Sequence, residues 1–126
     1  MSKMRFFICR TCGNLIEMIH STKVPVMCCG QKMEELIPNT VEASNEKHLP
    51  AVSVNGGEVL VAVGSVEHPM VAEHFIEWVA LETENGSQRK FLQPGEKPEV
   101  SFLLNGETTV AVYAYCNIHG LWKTEL

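Results

Sequence analysis

Phe75-Ile76-Glu77-Trp78-Val79-Ala80-Leu81-Glu82-Thr83-Glu84-Asn85-Gly86-Ser87-Gln88-Arg89-Lys90-Phe91-Leu92 is the stretch that decides the fold. Phe75 to Thr83 reads as a long strand, rich in aromatic and aliphatic side chains. Glu84-Asn85-Gly86 ends it, because Asn-Gly tolerates the positive φ angles of a tight hairpin turn. Arg89 to Leu92 then pairs back across that turn. Upstream, Gly57-Glu58-Val59-Leu60-Val61-Ala62-Val63-Gly64 is a β-branched run bounded by glycines, a second strand. Downstream, Pro94-Gly95 and Pro98 mark a connection. Val100 to Leu104 predicts a strand, Asn105-Gly106 a second Asn-Gly turn, and Thr108 to Tyr115 the returning strand. No segment carries a 3.6-residue period with caps. Short strands punctuated by turns predict a mainly β protein built on a β-sandwich.

The 126 residues are 45% hydrophobic and 20% charged, which is ordinary globular usage and excludes disorder. A change from hydrophobic pattern to a polar stretch places a boundary near residue 38. That divides the chain into a small domain over residues 1–37 and a sandwich over residues 38–126. The longest apolar runs, such as Val59 to Val63, fall far short of a membrane helix. The basic start at Met1-Ser2-Lys3-Met4-Arg5 is followed by too short an apolar stretch for a secretion signal, so the expected location is the cytoplasm. A net charge of -5 argues against nucleic acid as a partner and against a polybasic membrane anchor.

A reducing compartment disfavours structural disulfides, so clustered cysteines there read as metal ligands or redox groups. Cys9, Cys12, Cys28 and Cys29 all lie in the first 29 residues. Cys9-Arg10-Thr11-Cys12 is a C-x-x-C knuckle, and four thiolates suit a tetrahedral zinc or single iron. The adjacency of Cys28 and Cys29 is unusual, because neighbouring side chains tend to diverge. Some 37 residues need a staple of this kind in order to fold. A purely structural zinc accounts for the same four cysteines.

The sandwich segment holds Glu46-Lys47-His48-Leu49-Pro50, then His68-Pro69-Met70 through Glu73-His74, then Cys116-Asn117-Ile118-His119-Gly120. Each patch falls at a strand end or loop, where a rigid β scaffold presents functional groups. Cys116-x-x-His119 can place a thiolate and an imidazole on one ion. Blue-copper sites also combine one cysteine with histidines, but their methionine follows closely, and here no methionine occurs after Met70. His20 stays unassigned.

These residues resemble the superoxide reductases of the two-iron type, the desulfoferrodoxins, over essentially the whole chain. Cys9, Cys12, Cys28 and Cys29 match the desulforedoxin-like FeS4 centre of that family, and the three later patches match its catalytic centre. The resemblance implies an immunoglobulin-like sandwich following the desulforedoxin-like domain. It makes His48, His68, His74 and His119 equatorial ligands of a mononuclear iron, and Cys116 its axial thiolate. It also makes Lys47 the cation beside the open position, and Glu46 the carboxylate that can close that position in the oxidised ion. Superoxide is the implied substrate, a rubredoxin-like protein the electron donor, and a homodimer the assembly. Ferrous iron with one thiolate and four neutral imidazoles carries a single positive charge. An anionic substrate repelled by the protein as a whole must therefore be drawn in by a local positive mouth, the task assigned to Lys47.

Two other functions fit the same residues. A non-catalytic iron electron-transfer protein would close its coordination shell, whereas an enzyme leaves a position that cyanide or azide can take. A zinc-stabilised interaction module would be colourless.

Overall fold

The protein is described by a computed structural model covering residues 2–126. It folds as two compact units, Lys3–Ile37 and Pro38–Leu126, the latter also including Ser2.

In the first unit, β1 (Phe6–Ile8), β2 (Leu15–Glu17) and β5 (Glu34–Leu36) form an antiparallel sheet in the order β2-β1-β5. A separate two-stranded hairpin joins β3 (Met27–Cys28) to β4 (Gln31–Lys32). The apolar interior is small: Phe6, Ile8, Met33 and Leu36, with Cys9 buried beside them.

The second unit holds a four-residue helix, α1 (Asn45–His48), and seven strands. These are β6 (Pro50–Asn55), β7 (Glu58–Val63), β8 (Ile76–Thr83), β9 (Gly86–Phe91), β10 (Glu99–Leu103), β11 (Thr109–Cys116) and β12 (Gly120–Glu125). They form two antiparallel sheets, β10-β7-β6 and β12-β11-β8-β9. Along β7, Val59, Val61 and Val63 point inward, the period-2 alternation of a half-buried strand. They join Phe102 of β10 in one cluster with Ile76, Val79, Leu81, Val112, Ala114 and Cys116 from the other sheet. The core of this sandwich thus runs directly into the thiol at the end of β11.

The hairpin read from Glu84-Asn85-Gly86 is present, with Thr83 paired to Gly86 and β8 aligned with β9 as far as Trp78 and Phe91. The second Asn-Gly turn behaves differently. β10 pairs with β7, while β11 pairs with β8 and β12, so Asn105-Gly106 carries the chain from one sheet to the other rather than closing a hairpin. Burial decides this: β11 is buried along almost its whole length and takes a central place between two partners. Two strands flanking the site, β6 and β12, lie outside those read from the sequence, although Val52-Ser53-Val54 before Asn55-Gly56-Gly57 is itself a strand-and-turn signal, and β6 pairs with β7 across that turn. β6 opens on Pro50 at the edge of its sheet, where a missing N–H costs no ladder bond.

Gly64, just past β7, is required for space. A Cβ there would lie 2.5 Å from Glu46 O and 2.9 Å from Leu49 O. The turn after β7 also grips α1, because the Val66 N–H and the Ser65 hydroxyl both donate to Glu46 O, at 2.8 and 3.2 Å. Among the described residues, no helix is long and apolar enough to cross a membrane.

Candidate metal centres

The first centre is built by two turns. Cys9 and Cys12 lie on a loop closed by Cys9 N–H to Asn14 O and by Gly13 N–H to Cys9 O, both 2.8 Å. Cys29 and Gly30 are the two central residues of the β3–β4 hairpin, with φ of 52° and 75°. Positive φ at both positions is the type I′ pattern, which normally recruits Asn or Gly. Cysteine in the left-handed region is uncommon for a non-glycine residue. That conformation explains how adjacent cysteines share one target: the turn swings the Cys29 thiol round to join Cys28. The four sulfurs lie within 4.8 Å of one another, and Cys12 Sγ is 3.6 Å from Cys28 Sγ. Tetrahedral metal–sulfur bonds of about 2.3 Å put neighbouring sulfurs about 3.8 Å apart. The Cys12 backbone N–H donates to Cys9 Sγ at 3.5 Å and is the main reason the Cys9 thiol is lowered to about 6. Hydrogen bonds with the Cys12 and Cys9 thiols raise Cys29 to about 12. Four sulfurs this close cannot all ionise without a cation among them.

The second centre draws its groups from four places. His48 ends α1, His68 and His74 lie on the long β7–β8 connection, Cys116 ends β11, and His119 precedes β12. Neighbouring rings stand nearly perpendicular around a square. The centroid separations are 4.6 Å for His48–His68, 4.7 Å for His68–His74, 5.1 Å for His74–His119 and 4.9 Å for His119–His48. The diagonal His48–His74 is 6.4 Å. Donor atoms of His48, His68, His74 and Cys116 all lie within 4.8 Å of one another. His119 joins them through Nδ1, 3.1 Å from His48 Nε2 and 4.0 Å from Cys116 Sγ.

The donor set fits a cation on hydrogen-bonding grounds alone. His48 Nδ1 donates to Ser44 O at 2.6 Å, and His68 Nδ1 donates to Pro69 O at 2.7 Å. Burial lowers both rings from their ordinary range, His68 to about 4, so each is neutral near pH 7. A neutral imidazole with a proton on Nδ1 has a bare lone pair on Nε2. These two Nε2 atoms face each other at 3.2 Å. Lone pairs so placed repel unless a positive ion lies between them. Imidazole–metal bonds of about 2.1 Å at right angles put neighbouring nitrogens about 3 Å apart. His74 Nε2 is buried with no hydrogen-bond partner. Carbonyl partners for the outer ring nitrogens are the usual device for orienting a metal-bound histidine.

Cys116 is fully buried, and burial raises its thiol. Against that, the His119 N–H donates to its sulfur at 3.4 Å, and the Ile118 N–H also favours the thiolate. Trp122, unremarked in the sequence, stacks on His48 at 4.9 Å and donates its indole N–H to His119 O at 3.1 Å. No local motif marks it, because its role depends on the pairing of β12 with β11. Glu46 and Lys47 are exposed on α1. The Lys47 charge contributes to lowering both His48 and His74, opposite corners of the square. Among the described residues the Glu46 carboxylate makes no hydrogen bond or ion pair; its backbone carbonyl is the gripped atom. His20 is exposed and stands with neither cluster.

The buried rings make the metal-free chain acid-sensitive. Its unfolded state takes up protons near the ordinary histidine value of 6.5, while the folded state refuses them until lower pH. This contribution to stability is complete above that value and is lost as the pH falls toward 4, where His68 titrates. His68 alone accounts for on the order of 3 kcal/mol across that window. Urea midpoints of the metal-free protein fall between about pH 7.5 and 4.5; a midpoint that rises on acidification contradicts the burial account.

A β-sandwich that gathers four imidazoles beside one cysteine sulfur, in a chain with a separate four-cysteine cluster, defines a non-haem metalloprotein with two transition-metal centres. A family profile described as Desulfoferrodoxin matches residues 40–125. The desulfoferrodoxin of Syntrophotalea carbinolica is 42% identical over 98% of this chain and 97% of its own length. That of Nitratidesulfovibrio vulgaris is 38% identical, covering 98% of each chain. Among solved structures, the superoxide reductase from Treponema pallidum superposes with a TM-score of 0.82 at 38% identity, covering 98% of this chain and all of that one. The chain belongs to the desulfoferrodoxin family.

Proposed function

We propose that this protein is a superoxide reductase: it reduces superoxide by one electron, takes up two protons and releases hydrogen peroxide. The observation that carries the reading is the square of four imidazoles with a shared sulfur neighbour. In the proposed assignment, His48, His68, His74, His119 and Cys116 hold one iron, and Cys9, Cys12, Cys28 and Cys29 hold the other. An iron held at the first of these sites would supply the electron. The remaining tasks fall to the chain. As metal ligands the four rings would add no charge, so the Cys116 sulfur alone would offset the metal and leave the site locally positive in a protein of net charge -5. Lys47 extends that positive field to the surface and steers an anion inward. The amides of Ile118 and His119 hold charge on Cys116 sulfur and set how strongly it donates.

Glu46 belongs to the resting state in this reading. Replacing it with Ala leaves the rate with superoxide unchanged and shifts the visible spectrum of the oxidised protein. Stopped-flow mixing and an absorption spectrum of the same sample check both halves; a large loss of rate would move Glu46 into the reaction itself.

The donor is proposed to be a rubredoxin-like protein, the location cytoplasmic and the assembly a homodimer. All five cysteines are unpaired thiols, in keeping with a reducing compartment. Leu60 and Leu103 are exposed on the outer face of the β10-β7-β6 sheet, two apolar side chains open to a second copy.

A further inference from the structure

His48 and His68 are oriented by their own ring N–H groups, and His119 is tied through its carbonyl to Trp122. His74 lacks any such device. Its buried Nε2 has no hydrogen-bond partner among the described residues, so the placing of its ring leans on the backbone that carries it. The loop is closed locally by reciprocal bonds between Val71 and His74, both 3.1 Å. These fix the shape of the turn, but they do not fix its distance from Cys116.

Asn117 does that. Its Oδ1 accepts the Phe75 N–H at 2.9 Å, and its Nδ2 donates to Glu73 O at 3.0 Å. Its own backbone N–H reaches Phe75 O at 3.3 Å. The carboxamide therefore spends both polar ends on the two residues flanking His74, from a position next to Cys116. Only a carboxamide offers an acceptor and a donor side by side at this reach; a carboxylate keeps the acceptor and loses the donor.

We propose that Asn117 is a positioning residue that locks the Glu73–Phe75 backbone to the Cys116 loop and so sets the place of the His74 imidazole. The inference rests on the proposed iron site, and its test is read from metal retention rather than from turnover. The iron-loaded full chain is challenged with excess EDTA, and loss of iron is followed separately at the two centres by their visible bands. Asn117→Ala is expected to lose iron from the histidine centre about tenfold faster, as is usual for groups that orient a metal ligand. Loss from the four-cysteine centre should stay at the wild-type value, and the melting temperature of the metal-free chain should fall by no more than the few degrees that two lost hydrogen bonds cost. Asn117→Asp, which keeps the bond from Phe75 N–H, should fall between. If Asn117→Ala does not fold, Asn117→Asp alone must still exceed the wild-type rate. The proposal is overturned by a wild-type rate of loss, or by equal acceleration at both centres. It is also overturned by a melting temperature lowered enough to account for the change. A wild-type chain that takes up no iron at the histidine centre would instead overturn the proposed function.

Discussion

Replacing Cys116 with Ser lowers the rate of superoxide reduction by more than about 100-fold, beyond the upper end of effects seen when a supporting group is removed. Cys116 is fully buried at the end of β11, and its sulfur is the neighbour that all four imidazoles share. Ser is nearly isosteric, so the sandwich core is spared. What changes is the donor. A hydroxyl buried in this pocket stays protonated, and it replaces a soft, charged sulfur with a hard, neutral oxygen. The amide of His119 then faces an oxygen that needs no charge stabilised. Rates measured at matched iron content, together with loss of the sulfur-based visible band, check this. A variant within a few-fold of wild type at equal iron content would remove the thiolate from the account.

Lys47→Ile has the next largest effect. The rate with superoxide falls about tenfold or more at low ionic strength, within the range that electrostatic steering supplies. Its dependence on salt also flattens. The reason lies in a contradiction of charge: the protein carries -5, the substrate is an anion, and the ammonium acts on opposite corners of the imidazole square. Lys47 is exposed, so its substitution leaves packing alone. Stopped-flow rates at several salt concentrations separate steering from damage, because a merely destabilised variant keeps the wild-type salt slope. A variant with both wild-type rate and wild-type slope excludes the steering role.

Much of the site could be read from the sequence, because ligand chemistry is written in residue types. Cysteine and histidine patches at strand ends announce themselves even though 68 to 71 residues separate His48 from Cys116 and His119. The β8–β9 hairpin was equally legible, since an Asn-Gly turn between two matched runs is a local signal. The second Asn-Gly pair shows the limit. A turn can be read locally, but whether the strands on either side pair depends on burial, and β11 finds its partners in β8 and β12. The supporting groups were illegible for the same reason. Ser44 O and Pro69 O are backbone atoms and have no sequence signature. Trp122 and Asn117 act only after strand pairing has brought their targets to them. The adjacent Cys28-Cys29 pair looked like a strained arrangement for one ion. A left-handed Cys29 in a type I′ turn resolves it, and that conformation is not encoded by any neighbour except Gly30.

The most direct test is a single turnover of the fully reduced, iron-loaded protein with limiting superoxide, counting both products. The account predicts one hydrogen peroxide for each superoxide consumed, matched by oxidation of the histidine-ligated iron and with no dioxygen released. Dioxygen appearing alongside half that amount of peroxide, or an iron centre that stays reduced while superoxide decays, would contradict it.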